Sequence, residues 1–137
     1  MLKVLKFGGS SLADAAQFAK VKHIVESDPT RRVVVVSAPG KRFSEDHKIT
    51  DLLYLCAAHI EYGVSCENVF SMIRARYEEI CRDCGLKIDI TGELDALWLK
   101  MRSGMDREEL ASRGEYLAAL LMADYLGFDF LDAALWL

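Results

Sequence analysis

No block of basic residues interrupts this 137-residue sequence, and its net charge is −4, so no extended nucleic-acid footprint is expected. No apolar run approaches the roughly 18 to 20 residues that span a bilayer, so no membrane partner is expected either. The amino-terminal apolar stretch is short and broken by Lys3 and Lys6. It lacks the layout of a signal peptide, and a cytoplasmic protein is the expectation. Internal repeats and low-complexity segments are absent. So is a convincing metal motif. His23, His47 and His59 are scattered, and the CxxC of Cys81 and Cys84 has no second close pair, since Cys56 and Cys66 are far apart. That CxxC falls near the end of a helical pattern, just before Gly85, and not at a helix start where a thiolate is stabilised. Reduced thiols and no metal site are therefore expected.

What is present is a chain with 52% apolar and 28% charged residues, enough for one domain with a real core. Residues 1–6 read as a short strand and residues 12–26 as an amphipathic helix, with Phe18, Val21 and Val25 at helical spacing. Four consecutive valines, residues 33–36, suit a parallel strand buried on both faces. This is a βαβ rhythm, and it predicts an α/β fold. Helices follow over about 50–62, 67–84, 93–101 and 106–126, the last opened by Asp106 with Glu109 three residues on and stopped by Gly127. Residues 128–131 read as a third strand. The LDAALWL ending is apolar where a terminus is usually polar, which suggests a piece of a longer protein or a surface that partners cover.

The stretch KVLKFGGSS carries the first chemistry. Lys6 lies at the carboxyl end of a strand, the edge where open parallel sheets bind ligands. Gly8 and Gly9 leave backbone N–H groups unobstructed, and Ser10 and Ser11 can cap the next helix and donate hydroxyl bonds. The stretch reads either as a phosphate cradle or as an ordinary connector. It is not GxGxxG, and no Walker A loop exists, because Gly40-Lys41 is followed by Arg42 and no glycine lies five residues before Gly40. Ser37 ends the second strand at the same sheet edge, as a substrate ligand or the start of a turn. Thr50-Asp51 opens a helix and reads by itself as an N-cap. Gly114 within a helix costs about 1 kcal/mol relative to alanine, so a close approach must offset it. Glu115 beside it either holds a substrate ammonium group or pairs with Arg113 or Arg107.

Taken in order, KFGGSS, VVVVSAPG, ITDLL and SRGEYLAALLMADYLGFDFLDA resemble the aspartate kinases of the amino-acid kinase superfamily over nearly the whole chain. The resemblance implies a three-layer αβα fold with a mainly parallel sheet, like carbamate kinase. Only the amino-terminal, aspartate-side lobe is matched, without the nucleotide-binding half or the regulatory ACT domains. It implies ATP-dependent phosphorylation of the β-carboxylate of L-aspartate, with Mg2+ and a homo-oligomer. By position, Lys6 would stabilise the transferring phosphoryl group. Gly8 and Gly9 would meet the phosphates with Ser10 and Ser11 beside them. Ser37 and Thr50 would hold aspartate, and Glu115 its amino group. The loop GKRFSEDHKITD is longer than the family's compact Gly-x-Thr-Asn pattern, and Asp51 replaces the asparagine. The fragment alone is expected to be inactive. The other class of reading is a non-catalytic ligand-binding or interaction module derived from such a kinase.

Overall fold

A computed structural model describes residues 1–132 of the chain, so the expectation about the apolar tail lies largely outside the described residues. Strand β1 (Lys3–Phe7) and strand β2 (Arg31–Val36) pair in parallel, with Lys6 opposite Val35 and Phe7 opposite Val36. Between them run a 3₁₀ turn (Gly9–Leu12) and helix α1 (Ala15–Glu26). The turn changes the expected role of the serines. Asp14, not Ser10 or Ser11, caps α1, its carboxylate accepting the Gln17 N–H at 3.0 Å. The chain spends the serines on the tight turn first, and an aspartate with extended backbone then starts the helix.

Four helices follow: α2 (Ile49–Glu61), α3 (Glu67–Asp83), α4 (Ile90–Ser103) and α5 (Arg107–Leu126). Helix α4 starts earlier than its apolar pattern suggests because Asp89 caps it through the Gly92 N–H. The Asp106 carboxylate accepts the Glu109 N–H at 2.7 Å, and Gly127 ends α5 with φ of 71°, the left-handed conformation glycine tolerates best. The core forms where α1, α2, α3 and α5 meet, around Phe18, Leu53, Ile73, Tyr77, Leu117 and Leu121.

The sheet departs from expectation in two ways. Residues 128–131 form no strand. A strand needs a ladder partner, and here the Phe128 N–H instead donates to Ala123 O at 2.9 Å, closing the end of α5, while the Phe130 ring meets Tyr116 edge-on. Nor is β2 buried on both faces. Val34 and Val36 pack toward the helices, but Val33 and Val35 are each 43% exposed, beside exposed Val4 and Lys6 of β1. Among the described residues helices cover one face of the sheet, so the second helical layer of the expected three is not formed by them. No described helix is long and apolar enough to cross a membrane.

Candidate functional site

The carboxyl ends of both strands lead into loops whose backbones touch. The Ser37 N–H donates to Phe7 O at 3.2 Å, and the Gly40 N–H donates to Gly9 O at 2.7 Å. A Cβ on Gly40 would lie 2.7 Å from the Gly9 carbonyl carbon and 2.9 Å from Ser10 N, and one on Gly9 would lie 3.0 Å from Ala38 O. Only a pair without side chains allows this approach. Gly8 differs. Its backbone is ordinarily extended (φ −79°, ψ 174°), and a Cβ there would meet nothing within 4 Å. Neither conformation nor packing requires glycine at that position, which leaves open room over the strand end.

Beside this contact lies a cleft of about 540 Å³. It brings together five of the residues singled out from sequence: Gly9, Ser10, Ser37, Thr50 and Glu115. Lys6, Gly8 and Ser11 are not among its lining residues. Lys6 stands on the open face of the sheet, in register with Val35. The cleft also gains Lys41 and Lys48, which sequence reasoning missed. Their only signal was the polar loop between β2 and α2, where Lys41 attracted notice solely as a failed Walker motif.

Thr50 sits in the first turn of α2 and is not its cap. Lys48 holds the N-cap position without a side-chain capping bond, so the start of α2 opens beside the cleft with its N–H groups uncapped by a side chain. Glu115 is exposed on α5. Neither arginine proposed as its partner reaches it. Arg113 stacks over the Tyr116 ring at 4.5 Å and pairs with Asp132 at 3.9 Å, while Arg107 lies over the Tyr54 ring at 4.9 Å. Gly114 has a packing reason. Its missing Cβ would lie 3.0 Å from both Ala38 Cβ and Leu53 Cδ1, so α5 can press against α2 and the end of β2. Tyr77 Oη donates to the Gly114 carbonyl at 2.7 Å from the other side. Glu115 is thus fixed at the cleft wall by its neighbour's lack of a side chain.

The amino acid kinase family profile matches residues 1–134. The chain belongs to the amino acid kinase family. It is 40% identical over 133 residues to aspartokinase 3 of Bacillus subtilis, which covers 93% of this chain and 29% of that protein. The aspartate kinase of Clostridium acetobutylicum superposes with a TM-score of 0.88 at 48% identity, covering 90% of this chain and 29% of the other. Aspartokinase III of Escherichia coli, solved in complex with aspartate and ADP, gives 0.74 at 28% identity over 93% of this chain and 29% of its own. The chain therefore spans under a third of the length of these relatives.

Two further features of this amino acid kinase chain bear on the site. Asp46, buried in the β2–α2 loop, accepts the Arg42 N–H at 2.9 Å, Arg42 Nε at 2.7 Å and Arg76 Nη2 at 2.8 Å. These bonds, Arg42 foremost, hold its carboxyl well below the usual carboxylate range. Cys56, Cys81 and Cys84 take the opposite course from reactive thiols. Burial pushes Cys56 up to about 12 and Cys84 up to about 11, and it raises Cys81 as well. Cys81 Sγ faces Leu86 O and Ile88 O at 4.0 and 3.8 Å, so it packs under the turn that ends α3. Among the described residues no three His, Cys, Asp or Glu side chains converge on a cation-sized site.

Proposed function

We propose that this chain forms the acceptor side of an ATP-dependent aspartate kinase. The observation that carries the reading is charge complementarity in the cleft. Two lysines, Lys41 and Lys48, share it with one carboxylate, Glu115. L-aspartate offers the mirror image, two carboxylates and one ammonium. Glu115, unpaired with Arg113 or Arg107, takes the ammonium group. The lysines, with the hydroxyls of Ser37 and Thr50, take the carboxylates.

The reaction asks little covalent work of the protein. A β-carboxylate oxygen, already ionised at neutral pH, attacks the γ-phosphorus of ATP. The bond from that phosphorus to the β–γ bridging oxygen breaks, ADP leaves, and an acyl phosphate forms. Lys6 and Gly8 do not line the cleft but precede its Gly9 in the chain. They are assigned to the transferring phosphoryl group, with the Gly9 and Ser10–Ser11 turn beside it. Mg2+ would be carried by the nucleotide's phosphates and would neutralise charge there; no three His, Cys, Asp or Glu side chains converge on a cation site among the described residues. The remaining donor contacts are assigned to the part of such kinases that this chain does not span.

Calorimetric titration tests the acceptor reading. L-aspartate is expected to bind the chain, and succinate, which lacks the ammonium group, to bind at least about tenfold more weakly, the cost of one charge-assisted bond. Equal binding of succinate, or binding of ATP with none of L-aspartate, contradicts it.

A further inference from the structure

The two cleft lysines, Lys41 and Lys48, sit at opposite ends of the β2–α2 loop, seven positions apart in the chain. Something must hold that loop closed if their spacing is to be constant. The candidate lies outside the cleft, on α3. Arg76 is 4% exposed, and its guanidinium meets four acceptors from three segments. Arg76 Nη1 donates to Gly40 O at 2.7 Å and to Ala13 O at 3.2 Å. Arg76 Nη2 donates to His47 O at 3.0 Å and to Asp46 Oδ2 at 2.8 Å. Gly40 immediately precedes Lys41, and His47 immediately precedes Lys48. One planar fork thus grips the carbonyl before each lysine. Its third carbonyl, Ala13, follows the glycine–serine turn and ties that turn to the same point.

We propose that Arg76 is a positioning residue that sets the separation of Lys41 and Lys48 and holds Gly40 against Gly9. It touches no cleft space itself. The reason for arginine is geometric. Four acceptors in fixed directions need a rigid fork of donors, and an ammonium group has only three protons on a flexible stem. Burial by itself disfavours the charge on Arg76, and Asp46 offsets that by supplying the opposite one. Asp46 is in turn fixed by Arg42, so the loop closes on itself before it closes on α3. This inference rests on the aspartate reading only for what the lysines bind, not for how they are held.

The test compares the wild-type 137-residue chain with Arg76→Lys and, as a control for general loss of stability, Ile73→Val. Ile73 is fully buried on the same helix and has no hydrogen bond to the loop. Two readouts are taken where all three remain folded by circular dichroism. One is hydrogen exchange at the Gly40 amide, which is bonded to Gly9 O. The other is the Kd for L-aspartate. In Arg76→Lys, exchange at Gly40 is expected to quicken by about tenfold or more and the Kd to rise by about tenfold, as for one lost bond of ordinary strength. Ile73→Val is expected to change neither by as much as threefold beyond its effect on global stability. Wild-type exchange at Gly40 in Arg76→Lys overturns the proposal. Faster exchange with an unchanged Kd overturns the claim that the strut spaces the lysines. If wild-type chain binds no L-aspartate, the reading of the cleft fails, and the Gly40 exchange still decides the strut. Should Arg76→Lys not fold, Asp46→Asn takes its place, with faster Gly40 exchange supporting the proposal and wild-type exchange overturning it.

Discussion

Two hollows flank Glu115, and they are made differently. The cleft of about 540 Å³ has walls tied together: Gly40 to Gly9, Ile49 N–H to Pro39 O at 3.0 Å, Asp46 to Arg42 and Arg76. The other hollow, about 620 Å³, lies between Val33–Val36 of β2, α5 and residues 126–132, and its walls are mostly apolar. There β2 presents an edge with no ladder partner among the described residues. The contrast separates a site from a gap. A site has its polar groups held in place by groups that do not themselves touch the ligand. In the apolar hollow such ties are fewer, Tyr116 Oη donating to Glu93 at 3.1 Å and Arg113 pairing with Asp132 at 3.9 Å. None of them joins two loops across a strand end, so size alone does not identify the site.

The sharpest way to break this contrast is to fill the contact between the two loops. Gly40→Ala places a Cβ against backbone that cannot move without opening the cleft. Destabilisation of about 3 kcal/mol is expected in urea unfolding, at the high end for overpacking. A loss below about 0.5 kcal/mol, the range of an ordinary surface change, would show that the loops are not in fixed contact. Gly114→Ala is expected to cost less, about 1 to 2 kcal/mol, because the clash is with two side chains and alanine regains about 1 kcal/mol of helix propensity.

Acid sharpens the comparison on the cleft side. The folded-state pKa of Asp46 is depressed, so its contribution is complete above its unfolded pKa of about 4 and is lost as pH falls below that, toward the lower folded value. Stability measured from pH 6 downward is therefore expected to drop below about pH 4. Asp28, held low by Lys3 and Thr30, gives way in the same window. Asp46→Asn is expected to flatten part of that drop, and an unchanged profile would remove Asp46 from the bracing.

The smallest effects on stability belong to the residues assigned to ligand. Gly8→Ala meets no neighbour, and Glu115→Gln breaks no ion pair among the described residues, so each is expected to lie within about 0.5 kcal/mol of wild type. Glu115→Gln is nonetheless expected to weaken L-aspartate binding by about tenfold or more in calorimetry. A large stability loss with unchanged binding would make Glu115 structural.

Much of this was readable from residues. The βαβ start, the Asp106 cap and the Gly127 stop follow from local chemistry, and Gly9 and Ser37 from strand ends sharing an edge. Thr50 and Glu115 are joined to them by the resemblance to aspartate kinases, since by themselves they read equally as a helix cap and an ion-pair partner. What escaped was non-local. The valine run looks buried on both faces, but which faces are covered depends on what packs there. Phe128 to Leu131 have strand composition and no ladder partner among the described residues. Asp14 outcompeted the serines as a cap because the tight turn came first. Lys41 and Lys48 looked like loop charges until the loop folded back, and nothing near Arg76 in the sequence announces that its acceptors lie as far away as Ala13.

The central claim is that the cleft beside the Gly9–Gly40 contact receives L-aspartate. A ¹⁵N-resolved NMR titration tests it most directly. Saturable shifts are expected at the amides of Gly9, Ser37, Thr50 and Glu115. Shifts confined to Val33–Val36 and the apolar hollow, or none at saturating ligand, would contradict it.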